Sequence, residues 1–291
     1  MAEGTNENPH TYPQGVPCWI DTEQPDPEAA ARFYGELLDW TFVEAMPPGA
    51  PGSYLIAQAV GGDGERKDAA AIAPAADAGA DDADATWTTY IAVDDADAMA
   101  ARAAELGGEI VEQPVDAGPG GRYATVRDPG GAVFRLWQAR RRLGSQINNA
   151  AGSWNFSYLH VADPAAVLPF YRELFGWQVS DMGPDAGAMI GVRGYGDHLQ
   201  ATVDPDIRVR QADAPPGFAD VVAQAEPSAP GETPQWHVAF SVADRDASAA
   251  VAERLGGTVV SREDGVWTLA ARIRDPWGAE FTLSQFTGPG D

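Results

Sequence analysis

The chain has one cysteine, Cys18, and one lysine, Lys67, among its 291 residues. A lone cysteine excludes an internal disulfide and a cysteine-based metal cluster, and it is typical of a protein kept in a reducing compartment. No apolar run approaches the ~18 residues that a membrane-spanning helix needs, and the polar residues 1–14 lack the pattern of an export signal. We therefore expect a cytoplasmic protein that makes no membrane contacts.

Basic residues are scarce as well. The chain has 19 Lys and Arg against 43 Asp and Glu, so this acidic protein carries a formal net charge of −24. Such a surface repels phosphate backbones, and we expect no nucleic-acid partner. The hydrophobic content of 44% is sufficient for two ordinary domains with their own cores.

A long internal repeat dominates the sequence. The segment DPEAAARFYGELLDW (Asp26–Trp40) matches DPAAVLPFYRELFGW (Asp163–Trp177), which lies 137 positions later. Two further pairs of segments, VDDADAMAARAAELGGEIV with VADRDASAAVAERLGGTVV and RDPGGAVFRL with RDPWGAEFTL, match at offsets of 149 and 147. A period this long indicates duplicated domains rather than a solenoid.

Each copy contains a shorter internal repeat. A short strand, an Asp-containing cap and an Ala-rich helix occur twice per copy, followed by several β-like runs. Asp26 and Asp163 stand at predicted N-caps, and Pro27 and Pro164 follow at the first helical position, where a missing N–H is harmless. One strand–helix–strands unit therefore occurs four times, which predicts an α+β fold.

The repeat also predicts the domain organisation. We expect a flexible tail at 1–15, a first module at 16–139, a linker at 140–152 and a second module at 153–287. Two segments of Gly, Ala, Pro and acidic composition, Gly61–Ala85 and Asp204–Thr233, are interpreted as mobile surface excursions, the second as a lid.

The tandem units, the FYxxLxxW helix and the terminal DPxGxxFxL strand resemble the vicinal oxygen chelate superfamily. This superfamily contains glyoxalase I, bleomycin-resistance proteins and ring-cleaving dioxygenases, and the chain is most similar to its two-module, glyoxalase-like members from actinobacteria. The resemblance implies tandem βαβββ units paired into two half-open eight-stranded barrels, each around a cup.

The resemblance also implies where a divalent metal would bind, on a His or Gln of the first strand, a His of the fifth and a Glu of the last. In this sequence the first copy places Trp19, Thr88 and Arg135 at these slots, and the second copy places Phe156, His237 and Thr282. Only His237 matches, so we expect no cofactor. The alternative is a divalent metal in the second module at His237, in a slipped site with His160 and Glu280.

Several residues at these slots have two interpretations. His237, His160 and Glu280 are candidates for catalytic proton transfer, whereas His237 is equally well explained as a core histidine. Arg135 either binds an anionic or carbonyl group of a ligand or forms an internal pair with Asp21. The candidate ligand-binding residues are Trp19, Asp21, Tyr90, Arg135, Phe156, Tyr158, Trp236 and Thr282.

Three functional classes follow. The first is a metal-free cup that binds a small hydrophobic or aromatic metabolite for sequestration, resistance or carriage. The second is an enzyme of specialised metabolism, of lyase, isomerase, cyclase or hydroxylase type, that acts on an oxygenated small molecule through His237. The third is an interaction protein whose cups are filled by side chains. We expect a monomer with intramolecular pairing of the modules, with a dimer as the alternative.

Overall fold

The computed structural model describes residues 10–50, 52–75, 85–181, 188–212 and 214–288. It confirms the predicted α+β class, with two eight-stranded sheets of mixed strand direction. Within the described ranges, no helix is both long and apolar enough to cross a membrane.

The first copy forms one sheet and two helices. Its strands are β1 (Pro17–Gln24), β2 (Thr41–Glu44), β3 (Leu55–Val60), β4 (Arg66–Pro74), β5 (Thr86–Ala92), β6 (Glu109–Asp116), β7 (Gly121–Arg127) and β8 (Val133–Ala139). The helices are α1 (Pro27–Leu38) and α2 (Ala96–Glu105). The strand order is β2-β3-β4-β1-β5-β8-β7-β6, with β1 parallel to β4 and β5 parallel to β8.

The second copy repeats this order in its own sheet. Its strands are β9 (Trp154–Val161), β10 (Gln178–Asp181), β11 (Ala188–Gly191), β12 (Val221–Pro227), β13 (Gln235–Ser241), β14 (Thr258–Asp264), β15 (Thr268–Arg274) and β16 (Glu280–Phe286). The helices are α3 (Pro164–Phe175), α4 (Tyr195–Thr202), α5 (Ile207–Arg210) and α6 (Arg245–Arg254). The strand order is β10-β11-β12-β9-β13-β16-β15-β14, which is the order of the equivalent strands in the first sheet.

The helices begin where the sequence predicts. The Asp26 carboxylate accepts from the amide of Ala29 at 2.9 Å, and the Asp163 carboxylate accepts from the amide of Ala165 at 3.0 Å. Both bonds satisfy N–H groups that have no partner within the helix. On α1 the predicted face carrying Phe33 and Leu37 is buried in the core, as the 3.6-residue period requires.

The chain divides into two compact units, each of which draws on both copies. One unit comprises the described residues up to Cys18 with Tyr90–Gly144 and Tyr158–Gln235. The other comprises the described parts of Trp19–Thr89 with Ser145–Ser157 and the described chain from Trp236 onward.

Equivalent hydrogen bonds join the copies inside each unit. In the first unit, the Tyr171 hydroxyl on α3 donates to the Asp128 carboxylate over 2.8 Å. In the second unit, the Tyr34 hydroxyl on α1 donates to the Asp275 carboxylate, also over 2.8 Å. Each tyrosine comes from the repeated FY helix, and each aspartate comes from the repeated RDP turn of the other copy. The repeated motifs are therefore the two halves of one contact.

A second pair of bonds follows the same rule. The indole N–H of Trp177 donates to the carbonyl of Gly15 at 2.7 Å, and that of Trp40 donates to the carbonyl of Gly152 at 2.6 Å. Both glycines have a positive φ, so they adopt a conformation that favours glycine. Since Gly15 and Gly152 are 137 positions apart, the repeat already includes the residues that precede β1.

The interpretation of two segments as mobile excursions was wrong. Gly61–Ala85 contains β4, which pairs with β1 and β3, and Asp204–Thr233 contains α5 and β12, which pairs with β9 and β11. Residues 76–84 and 213 lie outside the described residues. Alanines fill most of the buried positions of both strands, so these residues carry little strand propensity and the neighbouring strands impose it.

The predicted tail at 1–15 is described only from His10 onward. His10 is buried, its ring stacks on that of Tyr12 with centroids 4.2 Å apart, and its Nε2 lies 3.4 Å from the Tyr195 hydroxyl. His198 Nε2 donates to the carbonyl of Thr11 at 2.9 Å. His10 and Thr11 are thus in contact with α4.

Candidate functional site

The first strands of the two copies differ in exposure. On β1, Trp19 and Asp21 are buried, and so are the residues that alternate with them. On β9, Ser157, Leu159 and Val161 are fully buried, whereas Phe156 and the following alternate residues are partly exposed. Because successive side chains of a strand point to opposite faces, β9 has one face on the core and one face open to solvent.

The candidate residues on β1 are held by internal hydrogen bonds. The Trp19 indole N–H donates to the Tyr54 hydroxyl at 3.0 Å, and that hydroxyl donates to the Asp21 carboxylate at 3.1 Å. Burial and these bonds together account for both side chains as structural. A ligand would have to displace them to reach this strand.

Arg135 lies among tyrosines in the first unit. Its Nη1 donates to the Tyr90 hydroxyl at 2.8 Å and its Nε to the Thr125 hydroxyl at 3.3 Å. Its guanidinium carbon lies 5.4 Å from the ring centroids of both Tyr90 and Tyr123, a distance at which a cation is attracted to an aromatic face. The predicted pair of Arg135 with Asp21 stays a prediction.

Glu112 completes this group, and the sequence analysis missed it. Its carboxylate accepts from the Tyr123 hydroxyl and from the Thr125 hydroxyl, both at 3.1 Å. Thr125 therefore links Arg135 to Glu112. Glu112 stands on β6 opposite Thr125 on β7, a pairing that only the strand register reveals.

The open face of β9 carries a polar cluster in the same unit. His160 Nδ1 donates to the Glu232 carboxylate over 2.9 Å, and His160 Nε2 lies 3.7 Å from Oε2 of Glu226. The Tyr158 ring lies beside the His160 ring, with centroids 6.2 Å apart. Imidazole, phenol and two carboxylates therefore converge on one partly exposed surface.

Strand β12 supplies two members of this cluster. In the parallel pairing of β12 with β9, Gln224 stands opposite Tyr158 and Glu226 opposite His160. The Gln224 side-chain amide donates to Glu226 at 2.6 Å. The sequence analysis missed these residues because it interpreted 204–233 as a lid. The spacing of two between Gln224 and Glu226 in VVAQAEP is the strand signal that could have identified them.

His237 and Trp236 on β13 are both buried, in the second unit. His237 Nε2 lies 2.8 Å from the Thr282 hydroxyl on β16. The residues at these two candidate positions, His237 and Thr282, therefore contact one another, as expected for a core histidine with a hydrogen-bond partner. Trp236 is buried, and its role in ligand binding stays a prediction.

Glu280 is the third candidate for catalysis, and its carboxylate forms ion pairs with two arginines. Arg272 donates from Nε to one carboxylate oxygen at 2.6 Å, and Arg274 donates from Nε to the other at 2.9 Å. These charge-assisted bonds occupy the acceptor positions that a metal ion would need.

The donors at the implied metal slots do not suit a divalent cation. Of these slots, the first unit contains the Arg135 guanidinium, which repels positive charge, and the second contains indole, hydroxyl and phenyl groups with one imidazole, that of His237. Among the residues that the structure describes, no three His, Cys, Asp or Glu side chains lie close enough together to hold a metal ion. The donor set therefore does not fit the metal that the family resemblance implies.

Cys18 is equally unsuited to chemistry. The side chain is fully buried, and this burial raises the pKa of its thiol far above the usual range. A thiol in that environment is not ionised near neutral pH, so it is not a nucleophile.

Two curated proteins match nearly the whole chain. "Putative glyoxylase CFP32" of Mycobacterium tuberculosis (strain CDC 1551 / Oshkosh) is 34% identical over 274 residues, which are 94% of this chain and 95% of that protein. "Anthracycline biosynthesis protein DnrV" of Streptomyces peucetius is 30% identical over 285 residues, covering 94% of each.

Solved structures share the fold at low identity. The Mn(II)-bound glyoxalase from Novosphingobium aromaticivorans has a TM-score of 0.57 at 15% identity, covering 94% of this chain and 82% of that one. The 2,3-dioxygenase LapB from Pseudomonas sp. KL28 gives the same TM-score and identity, with 94% and 93% coverage.

Family models match both copies. Residues 157–284 match a glyoxalase-like domain, and residues 24–136 match the glyoxalase, bleomycin resistance protein and dioxygenase superfamily. With relatives 34% and 30% identical over 94% of the chain, and with the two-module architecture described above, this protein belongs to the glyoxalase/bleomycin resistance protein/dioxygenase superfamily.

Proposed function

We propose that the chain binds a planar, oxygenated aromatic metabolite, without a metal ion, on the open face of β9 in the second copy. The single observation that carries this proposal is the contrast between β1, which is buried on both faces, and β9, which exposes one. The equivalent positions in the first copy hold Trp19 and Asp21 in internal bonds.

The residues of the open face have the chemistry of such a site. Tyr158 offers aromatic surface, against which planar ligands stack favourably, and the His160 ring lies beside it. Gln224 and Glu226 lie opposite this row on β12 and supply polar groups that orient oxygen substituents. Apolar walls with a few convergent polar groups are typical of small-molecule sites.

The name of one relative supports the ligand class. The protein from Streptomyces peucetius is named for anthracycline biosynthesis, and anthracyclines are oxygenated polycyclic aromatics. A ligand of this type is large and flat enough to cover the neighbouring rings of Tyr158 and His160. Sequestration, resistance or carriage of such a metabolite is the function that follows.

A second candidate is an enzyme of specialised metabolism that acts on an oxygenated small molecule. The observation that favours it is the orientation of His160 by Glu232, because a carboxylate bonded to one ring nitrogen fixes which nitrogen faces the ligand. His237, the residue that the sequence analysis favoured for this role, is buried and bonded to Thr282.

A neutral dihydroxyanthraquinone tests the proposal by calorimetric titration of the full chain. We expect saturable binding near one ligand per chain, weakened about tenfold by Tyr158→Ala, the loss of roughly one stacking contact. Phe286→Ala removes an exposed aromatic side chain of β16, in the other compact unit, and is expected to leave the affinity unchanged.

Two results would contradict the proposal. One is the absence of saturable binding by the wild-type chain. The other is an equal loss of affinity in Tyr158→Ala and Phe286→Ala, since a site on β9 does not include Phe286. Circular dichroism of both variants verifies that each is folded.

A further inference from the structure

We infer that Glu226 and His160 form a metal-free acid–base pair that tautomerises a ketone bound on the open face of β9. The inference rests on the proposed function, because the ketone must first occupy that face. The substrate class is an aromatic ketone with a hydrogen on the carbon next to its carbonyl group.

His160 is held in one orientation. Its Nδ1 donates to Glu232, whose carboxylate also accepts from the Gln235 side chain at 3.0 Å and from the Ala229 amide at 2.8 Å. The side chains of His160 and Glu232 are only 12% and 10% exposed. Three donors thus fix Glu232, which in turn fixes the imidazole, and Nε2 is the nitrogen turned toward Glu226.

Glu226 is the accessible member of the pair. Its side chain is 39% exposed, one oxygen accepts from Gln224, and the other lies 3.7 Å from His160 Nε2. The separation of 3.7 Å is within ion-pair range and longer than a direct hydrogen bond. A ligand edge that lies across these two atoms would meet both groups at once.

The two groups match the two atoms that change during enolisation. In a ketone, the carbonyl oxygen and the adjacent C–H are separated by one carbon atom, a span of the same order as the gap between His160 Nε2 and Glu226 Oε2. The doubly protonated imidazole carries an N–H on each nitrogen, so Nδ1 donates to Glu232 while Nε2 donates to the carbonyl oxygen. The Glu226 carboxylate then faces the adjacent C–H.

The proton balance closes without an oxidant or a second substrate. Glu226 takes the proton of the C–H bond, whose electron pair becomes the C=C bond of the enol. The π electrons of the carbonyl group take the Nε2 proton, which leaves a neutral imidazole and a protonated Glu226. In the reverse direction Glu226 returns its proton to carbon and Nε2 recovers its own from the enol oxygen. Glu232 is a positioning residue that takes no proton in either direction.

Hydrogen–deuterium exchange of β-tetralone, a ketone fused to an aromatic ring, tests the pair. Proton NMR in D2O follows the loss of the signal from the carbon between the ring and the carbonyl group. We expect the full chain to accelerate this exchange above buffer, and Glu226→Gln to reduce the acceleration about 100-fold, as loss of a general base does. Glu253→Gln, an exposed change on α6, is the matched control and is expected to exchange like the wild type.

The remaining variants separate the roles. His160→Gln is expected to lose exchange to a similar degree, and Glu232→Gln is expected to lower the rate of the bound ketone while its affinity stays within about threefold. Since His160→Gln perturbs a partly buried network, the exposed Glu226→Gln variant carries the test if His160→Gln fails to fold.

Calorimetric binding of β-tetralone to the same proteins distinguishes the two proposals. If wild-type protein binds the ketone but exchange equals that of buffer, the acid–base pair is overturned and the proposed binding function stands. If exchange persists in Glu226→Gln, the pair is also overturned. If neither β-tetralone nor the anthraquinone binds, both proposals fail.

Discussion

At the scale of single residues, position in the fold outweighs residue type. His160 and His237 are both histidines of short strands, yet one lies on a partly exposed face between carboxylates and the other is buried against Thr282. The sequence analysis gave more weight to His237 because it occupies a family ligand slot. The exposure of β9 and the register of β12, which no residue type encodes, reverse that order.

His10 gives a prediction at this scale. Burial, and then the neighbouring His198, lower the pKa of His10 to about 4 from its usual 6.5. Below pH 6.5 the unfolded chain takes up a proton that the folded chain refuses, so this residue reduces the free energy of unfolding as the pH falls from about 6.5 to about 4. The groups around the ring are Tyr12, Tyr195 and His198.

Urea unfolding at pH 7 and pH 5 checks this expectation. We expect the wild type to lose about 1–2 kcal/mol more than His10→Phe between these two pH values, because phenylalanine keeps the stacking on Tyr12 but cannot take up a proton. Equal losses in the two proteins would show that His10 titrates alike in the folded and unfolded chains.

At the scale of helices and strands, the sequence predicts what local chemistry fixes. Asp at the N-cap followed by Pro places the starts of α1 and α3 correctly, since the cap bond forms within three residues. It does not predict β4 and β12, whose buried alanines become strand only between neighbouring strands. The missed strand β12 carries Gln224 and Glu226, so this error also hid half of the polar cluster.

The packing of α1 and α3 against the RDP turns gives a prediction for these elements. Tyr171→Phe and Tyr34→Phe each remove one buried hydroxyl donor from an aspartate, at a cost of about 1–3 kcal/mol in the free energy of unfolding. The Tyr34 hydroxyl also accepts from the Trp87 indole N–H at 3.1 Å, so Tyr34→Phe removes a hydrogen-bond partner from two buried groups. We therefore expect both variants to unfold at lower denaturant concentration than the wild type.

Denaturant unfolding of both variants at pH 7 measures these losses. A free energy of unfolding within about 0.5 kcal/mol of the wild type in either variant would mean that its buried hydroxyl does not stabilise the packing of the FY helix on the RDP turn. Glu253→Gln serves as an exposed reference, with an expected change within about 0.5 kcal/mol.

At the scale of the whole molecule, the repeats of the sequence are not the compact units of the structure. The predicted boundary at 140–152 separates the copies, but each unit holds segments from both. The two eight-stranded sheets and their family were predictable, because four landmarks recur in order. The pairing of segments from different copies within each unit was not predictable. The sequences of the FY helix and the RDP turn do not indicate that each packs against the other copy.

This arrangement predicts how fragments behave. Residues 1–146 and 147–291, prepared separately, each lack the partner of a buried aspartate, so we expect neither to unfold cooperatively as a monomer. Mixing them should restore the cooperative transition and the near-ultraviolet circular dichroism of the intact chain. Two independently stable monomeric fragments would contradict the interdependence of the copies.

The reciprocal bonds between Tyr171 and Asp128 and between Tyr34 and Asp275 have an evolutionary consequence. An ancestor with one copy would carry both the tyrosine and the aspartate, and two identical subunits related by a twofold axis would satisfy both bonds. Gene duplication with fusion then turns that homodimer into one polypeptide, in which the two copies no longer need to have the same sequence. The first strand of one copy could then be filled by Trp19 and Asp21, while the first strand of the other copy kept an exposed face.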